Sequence, residues 1–430
     1  MKTKSPSAQW IARTSLHTSL AVLLTVSFHE QAFPAESISD GTSNTIQIGE
    51  NSRFNNGSSG LLGDIVIDAD RTIDLPADGI LHLKSLKVSS GKTLRFKRNA
   101  LNTPAYLLAQ QDVVIEGIID VSGSQSPNDI PTGGVGGPGG FDGGKPGFGE
   151  VPPGAGYGPG AGKGGTTDSN AANGAGSGSY ATISLDWNNP NKGPSYGSKL
   201  LIPLIGGSGG GGATGSPGRG GGGGGGALLI SSNTRIQHTG RILAFGGAGN
   251  GAGGNVGSGG AVRFVAPVVA GAGEVNVFAH NDWAGRGRIR VDTVDRSDLR
   301  FKFEPVDSLS VGANMFIFPP LVPTLDIVEV AGNQVPLGSG PVNFQLPFGS
   351  SPNRDIKVQA SGWGRIVPIQ VVLTPDSGAP TIFNAEINNG NNLVQGDGSV
   401  RNVSTSMATV PVVFPVNTLV TIHCWTRSSP

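Results

Sequence analysis

The densest run of side chains able to do chemistry is HNDWAGRGRIRVDTVDRSD, residues 280–298, which sets His280, Asp282, Trp283, Arg286, Arg288, Asp292 and Asp295 close together. Carboxylates in pairs supply the acid and base of glycoside cleavage, and an arginine or lysine can serve as the base of an elimination. An indole offers a large flat face to a sugar ring. In that reading Trp283 is the platform, with Asp282, Arg286 and Arg288 lining a ligand-binding site. The same stretch also reads as the closing turn of a repeat, with RIRVDTV alternating charged residues outside and apolar ones inside. Fold analogy does not make a catalyst of any of them, so no catalytic residue is assigned.

Other motifs lack a part their chemistry requires. DADRTIDLPAD supplies Asp68, Asp70, Asp74 and Asp78, but the glycine and glutamate of a calcium loop fall on Ile73 and Gly79. His17, His29, His82, His238, His280 and His423 make no HExxH or i, i+4 pair and read as surface or turn residues. SSGKT (89–93) places Leu86 where a phosphate loop needs its first glycine, and Lys163 in GPGAGKGGT precedes Gly164 instead of Ser or Thr. No metal and no cofactor is expected. Trp187 and Trp363 sit in loop-like contexts, as platforms or as caps on a core edge.

The totals narrow the partners. Lys and Arg number 30 against 30 Asp and Glu, and 14% of residues are charged, which removes a global electrostatic case for nucleic acid or an anionic membrane. The single cysteine, Cys424, permits no internal disulfide and reads as a small apolar residue of a terminal strand. Lys2, Lys4 and Arg13 precede the apolar SLAVLLTVSF (19–28), the arrangement of an export leader too short to span a bilayer. Processing is expected near Ala32 or Ala35, leaving a secreted, extracellular or cell-surface protein with no transmembrane segment.

These side chains need elements to hold them, and the elements read as all β. SISDGTSNTIQIGE (37–50) is a turn followed by an alternating strand, within a capping segment over 36–60. From residue 62 short Ile-, Val- and Leu-rich runs alternate with Gly, Ser, Asn and Asp, without a helical period. Residues 105–123, 227–247 and 261–279 share one pattern: apolar strand, break, glycine (Gly117, Gly240, Gly273), second apolar strand. The last two glycines lie 33 residues apart, a spacing typical of stacked units that share a continuous core. On these repeats the chain resembles the right-handed parallel β-helix of secreted bacterial proteins, including pectate lyase-like ones. The resemblance spans roughly 60–310 at the level of the repeat pattern and implies a solenoid over 61–315. An antiparallel sandwich is the structural alternative.

A glycine-rich insertion interrupts the repeats at about 131–226. Residues 133–226 hold 37 of the chain's 71 glycines, without the strict triplets of collagen. Either a mobile loop or polyglycine II strands fit, and the islands ATISLDW and KLLIPLI predict a return to the solenoid wall, with Gly220–Gly226 as the packed return path. The proline-rich FIFPPLVPTL makes 316–325 a linker, and seven strand-like runs over 326–430 read as an immunoglobulin-sized β-sandwich. The functional expectation is a non-enzymatic adhesive or structural protein contacting polysaccharide. The alternatives are a polysaccharide lyase or hydrolase, and a polyglycine II assembly or ice-binding surface.

Overall fold

Strands of three to six residues cannot bury an apolar face singly, and here they do so by stacking in register. The computed structural model describes residues 54–128, 132–166, 174–185, 189–214, 219–249, 255–280, 284–318, 323–339, 341–363, 366–388 and 406–426, with the backbone of Gln9–Ala12. The described residues are almost entirely β, the one helical element being a 3-10 turn at Val306–Ser308. The residues expected to carry the leader's apolar run, the capping strand at 44–50, Trp187, Asp282 and Trp283 lie outside the described residues.

Three ladders of parallel strands form the first unit. Ile80–Leu83, Ala105–Ala109, Ala227–Ser232, the first half of Ala261–Ala270, Arg288–Asp295 and Leu309–Gly312 make one. Asp64–Ile67, Ser85–Val88, Val113–Ile115, Arg235–His238 and the second half of Ala261–Ala270 make another. Arg71–Asp74, Thr93–Lys97, Ile118–Asp120, Arg241–Leu243, Glu274–Asn276 and Lys302–Glu304 make the third. Each circuit of the chain adds one strand to each ladder, so like residues stack inside. Leu81, Leu107, Ile230, Phe264 and Val291 align in the first ladder. Leu94, Ile119, Ile242, Val275 and Phe303 align in the third. All belong to or pack against a single apolar cluster, and burying each such side chain contributes about 1.5–3 kcal/mol.

The three glycines common to the repeats meet at one corner. The Arg241 amide donates to the Gly117 carbonyl, and the Glu274 amide to that of Gly240, both at 2.9 Å. A β-carbon on Gly240 would lie 1.9 Å from the Gly117 oxygen, so this approach requires glycine.

The glycine-rich insert packs as backbone against backbone. In Gly220–Gly226, Gly221 and Gly224 donate to Gly144 and Phe141, Gly222 and Gly225 to Asn255 and Ser258, and Gly223 and Gly226 to Ser124 and Val121, at 2.7–3.0 Å. The carbonyls accept in turn from Gly134 and Gly137, from Gly210 and Gly207, and from Gly247. Every third residue faces the same neighbour, the three-residue period of a polyglycine II strand, and six segments surround the central one. Gly226 then runs directly into Ala227–Ser232, the next strand of the first ladder.

The C-terminal unit has two sheets around their own apolar cluster. One runs Val342–Gln345, Gln9–Ala12, Val420–Thr426, Ile366–Pro375, Thr381–Asn388; the other runs Asn333–Gln334, Thr324–Val330, Asn353–Ser361, Ser406–Val413. The seven strand-like runs of the sequence all fall on these strands. Neighbours are antiparallel except for Gln9–Ala12, from the stretch read as leader, which runs parallel to Val420–Thr426. The insert touches this unit through the Lys145–Asp376 ion pair at 2.6 Å and the edge-on contact of Phe141 with Trp425.

Candidate functional site

The GRGR run at 285–288 divides its labour by residue. Gly285 and Gly287 thread the glycine array, where a β-carbon would meet the Ser179 Cα at 2.5 Å and the Gly260 oxygen at 2.1 Å. The arginines between and after them project outward. The Arg286 amide donates to Thr182 Oγ1 at 3.0 Å, its carbonyl accepts from Ala181 at 2.9 Å, and its guanidinium pairs with Asp307 while lying 5.9 Å from the Phe278 ring centre. Arg288 opens the strand Arg288–Asp295, and its Nη2 donates to the carbonyls of Tyr196 and Gly197 at 2.8 and 3.2 Å. Its guanidinium stands 5.4 Å from the Tyr180 ring centre.

The two tyrosines under Arg288 fix the insert to the ladder. Tyr180 donates its hydroxyl to the Ile205 carbonyl at 2.9 Å, Tyr196 donates to Gly206 at 2.6 Å, and the ring centres are 4.6 Å apart. Burial drives both phenols far above the usual tyrosine range, with Arg288 opposing it, so both stay protonated hydrogen-bond donors. Beside them a recess of about 90 Å³ opens between insert and last circuit, lined by Thr182, Lys199, Arg288, Asp307, Ser308 and Ser310. Lys199 is exposed, and its ammonium has no partner among the described residues. A larger, shallower groove of about 560 Å³ lies on the C-terminal unit between Glu329, Asp355, Arg354 and Pro411.

Of the four residues named for ligand binding, Arg288 lines this recess, Arg286 stands beside it through its ion pair with Asp307, and Asp282 and Trp283 lie outside the described residues. The sequence reading missed Lys199, Thr182 and Ser308–Ser310, which come from the insert and from the turn after the last circuit. The islands around ATISLDW and KLLIPLI were the available signal, since they are where the insert returns to the ladder.

The alternation expected for RIRVDTV needs correction. Ile289 and Val291 do point into the core, but the charged side is covered instead of solvated. Tyr106, Leu229, Arg263 and Arg290 align on that outer face, beneath Ile317 and the insert's Leu201 and Leu204. Asp292, fully buried, accepts from Arg263 at 3.0 and 3.2 Å through Oδ2 and from Arg290 at 2.6 and 2.9 Å through Oδ1. Arg263 also donates to the carbonyls of Asn314 and Phe316 at 3.0 and 2.8 Å, holding the start of the linker down. Burial pulls the Arg263 pKa down and Asp292 opposes it.

The histidine expectation is likewise corrected at two positions. His238 continues the inward column of Ile67, Val88 and Ile115, with Phe301 edge-on at 4.9 Å, and burial pushes its pKa down to about 4. His423 is buried in Val420–Thr426 and stacks on Trp425 at 5.1 Å. The aspartates of DADRTIDLPAD act locally: Asp70 accepts from the Thr93 amide, Asp74 pairs with Lys97, and Asp78 accepts from the Ile80 amide. Among the described residues, no three His, Cys, Asp or Glu side chains gather as a metal site. Trp363 is buried in the C-terminal core and donates to the Thr324 carbonyl at 2.6 Å, while Cys424 is buried in the same cluster. No helix among the described residues is long and apolar enough to cross a membrane. No protein-family model, curated protein or solved structure matches the chain.

Proposed function

We propose that the chain is an exported, non-enzymatic protein of the cell surface or extracellular space that contacts polysaccharide. In this reading the three ladders are a right-handed parallel β-helix resembling the pectate lyase-like scaffold, and the C-terminal unit is a β-sandwich. One strand per ladder per circuit supports the solenoid, and the near-universal hand of parallel crossovers supports its right-handedness. The observation that carries the binding reading is the recess beside Arg288, which sets Arg288 and Lys199 against one carboxylate between the insert and the last circuit. Its one carboxylate, Asp307, is tied to Arg286, so the lining supplies charge and hydrogen bonds in place of a matched acid and base. The buried position of Gly220–Gly226 favours an internal scaffold over an ice-binding face.

The test is to express the full chain, recover it after export, determine its N-terminus, and mix it with acidic and neutral polysaccharides on a sizing column. Export with processing near Ala32 or Ala35 and co-elution with polymer of unchanged length are expected. Shortened polymer would move the protein to the lyase or hydrolase class, and retention inside the cell would remove the surface role.

A further inference from the structure

Beside the recess at Arg288 are two buried polar atoms that no described residue satisfies. Arg288 Nε and Ser308 Oγ are both inaccessible and have no hydrogen-bond partner among the described residues. A guanidinium Nε–H can only donate, and a serine hydroxyl can donate. Leaving two such groups unpaired costs free energy that a native structure rarely tolerates without an occupant. Both residues line the same small recess. Its volume of about 90 Å³ exceeds the roughly 10–15 Å³ one water needs, room enough for a carboxylate or a sulfate group.

The charges around it select the sign. Lys199 and Arg288 bring two positive charges, and the Arg286–Asp307 pair is neutral as a unit. Two of the five N–H donors of Arg288, both on Nη2, are engaged by the carbonyls of Tyr196 and Gly197, and Tyr180 lies against the guanidinium. The side chain is therefore held with its Nε–H fixed in direction, so little order is lost when an acceptor arrives.

From this we infer that the recess is a binding site for a single anionic group, the carboxylate or sulfate substituent of an acidic polysaccharide. Arg288 Nε and Ser308 Oγ donate to its oxygens, and Lys199 neutralises it from the open side. The inference rests on the polysaccharide reading for the identity of the carrier and on the unpaired donors for the anion.

The experiment measures binding of the purified full chain to alginate, carboxyl-reduced alginate and dextran sulfate, with Ser308→Ala and Lys199→Gln as variants. Removing a hydrogen bond to a charged group is expected to weaken binding about tenfold or more. Alginate binding that falls by this factor in both variants, and is lost on carboxyl reduction, supports the site with carboxylate as the source. The same sensitivity confined to dextran sulfate supports it with sulfate. Equal binding of all three polymers, unchanged by either variant, overturns the anion site while leaving polysaccharide binding intact. A second readout separates the two claims: millimolar sulfate or acetate should raise the thermal midpoint of the wild-type chain and not that of Ser308→Ala. If no polymer binds yet this Ser308-dependent shift is present, the polysaccharide reading falls and the anion site stands. If neither appears, both fall.

Discussion

Replacing Gly223 by alanine tests the glycine array in its central strand. Its β-carbon would lie 2.3 Å from the Val135 oxygen and 2.4 Å from the Val135 carbonyl carbon, both backbone, so the 134–137 segment must retreat. That segment is held by Gly134 to Gly221, by Gly137 to Gly224, and by the Ser124 amide on Val135. Stretching three backbone hydrogen bonds costs about 1 kcal/mol each, and more where a group is left buried without a partner. The stiffer unfolded chain of the alanine variant returns about 0.4–1 kcal/mol. The net expected loss is about 2–3 kcal/mol, and more where a displaced group stays buried without a partner. Gly149→Ala is the control, at an exposed site with nothing near its β-carbon and φ of 58°, where left-handed backbone strain alone costs about 1–2 kcal/mol. Equilibrium urea unfolding read by circular dichroism, with hydrogen exchange at Gly221–Gly225, compares the two. A Gly223→Ala variant no less stable than Gly149→Ala, with wild-type protection at 221–225, would refute the close-packed account.

Three further perturbations probe the rest of the frame. His238 has a folded pKa of about 4 against about 6.5 unfolded. The unfolded chain therefore binds the extra proton, and stability falls as pH drops from about 6.5 towards 4, by about 3 kcal/mol; the urea midpoint against pH should show this slope, and His238→Phe should flatten it. Asp292→Asn leaves Arg263 and Arg290 buried without their counter-charge and is expected to cost about 3–5 kcal/mol, measured as a lowered thermal midpoint together with faster protease cutting near 314–318. Lys145→Ala removes a partly exposed ion pair between insert and C-terminal unit, and a loss no larger than about 1 kcal/mol is expected in the same melt.

The repeat was legible because stacked strands require like residues at like positions. The glycine pivots at 117, 240 and 273 and the paired aliphatic runs state that requirement openly. The C-terminal strands were legible for a related reason, since alternation along VNFQL or DIKVQA reports one buried face. What escaped was the second covering of the first ladder. Arg263, Arg290 and Asp292 look like solvent-facing residues of an alternating strand, and only the return of Leu201, Leu204 and Ile317 over that face makes them interior. His238 escaped similarly, being a polar residue in an aliphatic column. Of the recess, Arg288 stands out in the sequence beside glycines, while Lys199 and Ser308 reach it through long-range packing that no local pattern encodes.

The glycine array also sets how the molecule responds to temperature. Its interior hides peptide groups more than hydrocarbon, and exposing polar surface lowers the heat capacity of unfolding while exposing apolar surface raises it. The aliphatic ladders supply a strongly curved stability profile whose driving force weakens on cooling. The array contributes hydrogen bonds with little of that curvature. The melting of this chain should therefore show a smaller heat-capacity step than its length suggests, and the seven-glycine run would hold its neighbours together in the cold, where the ladders beside it lose strength.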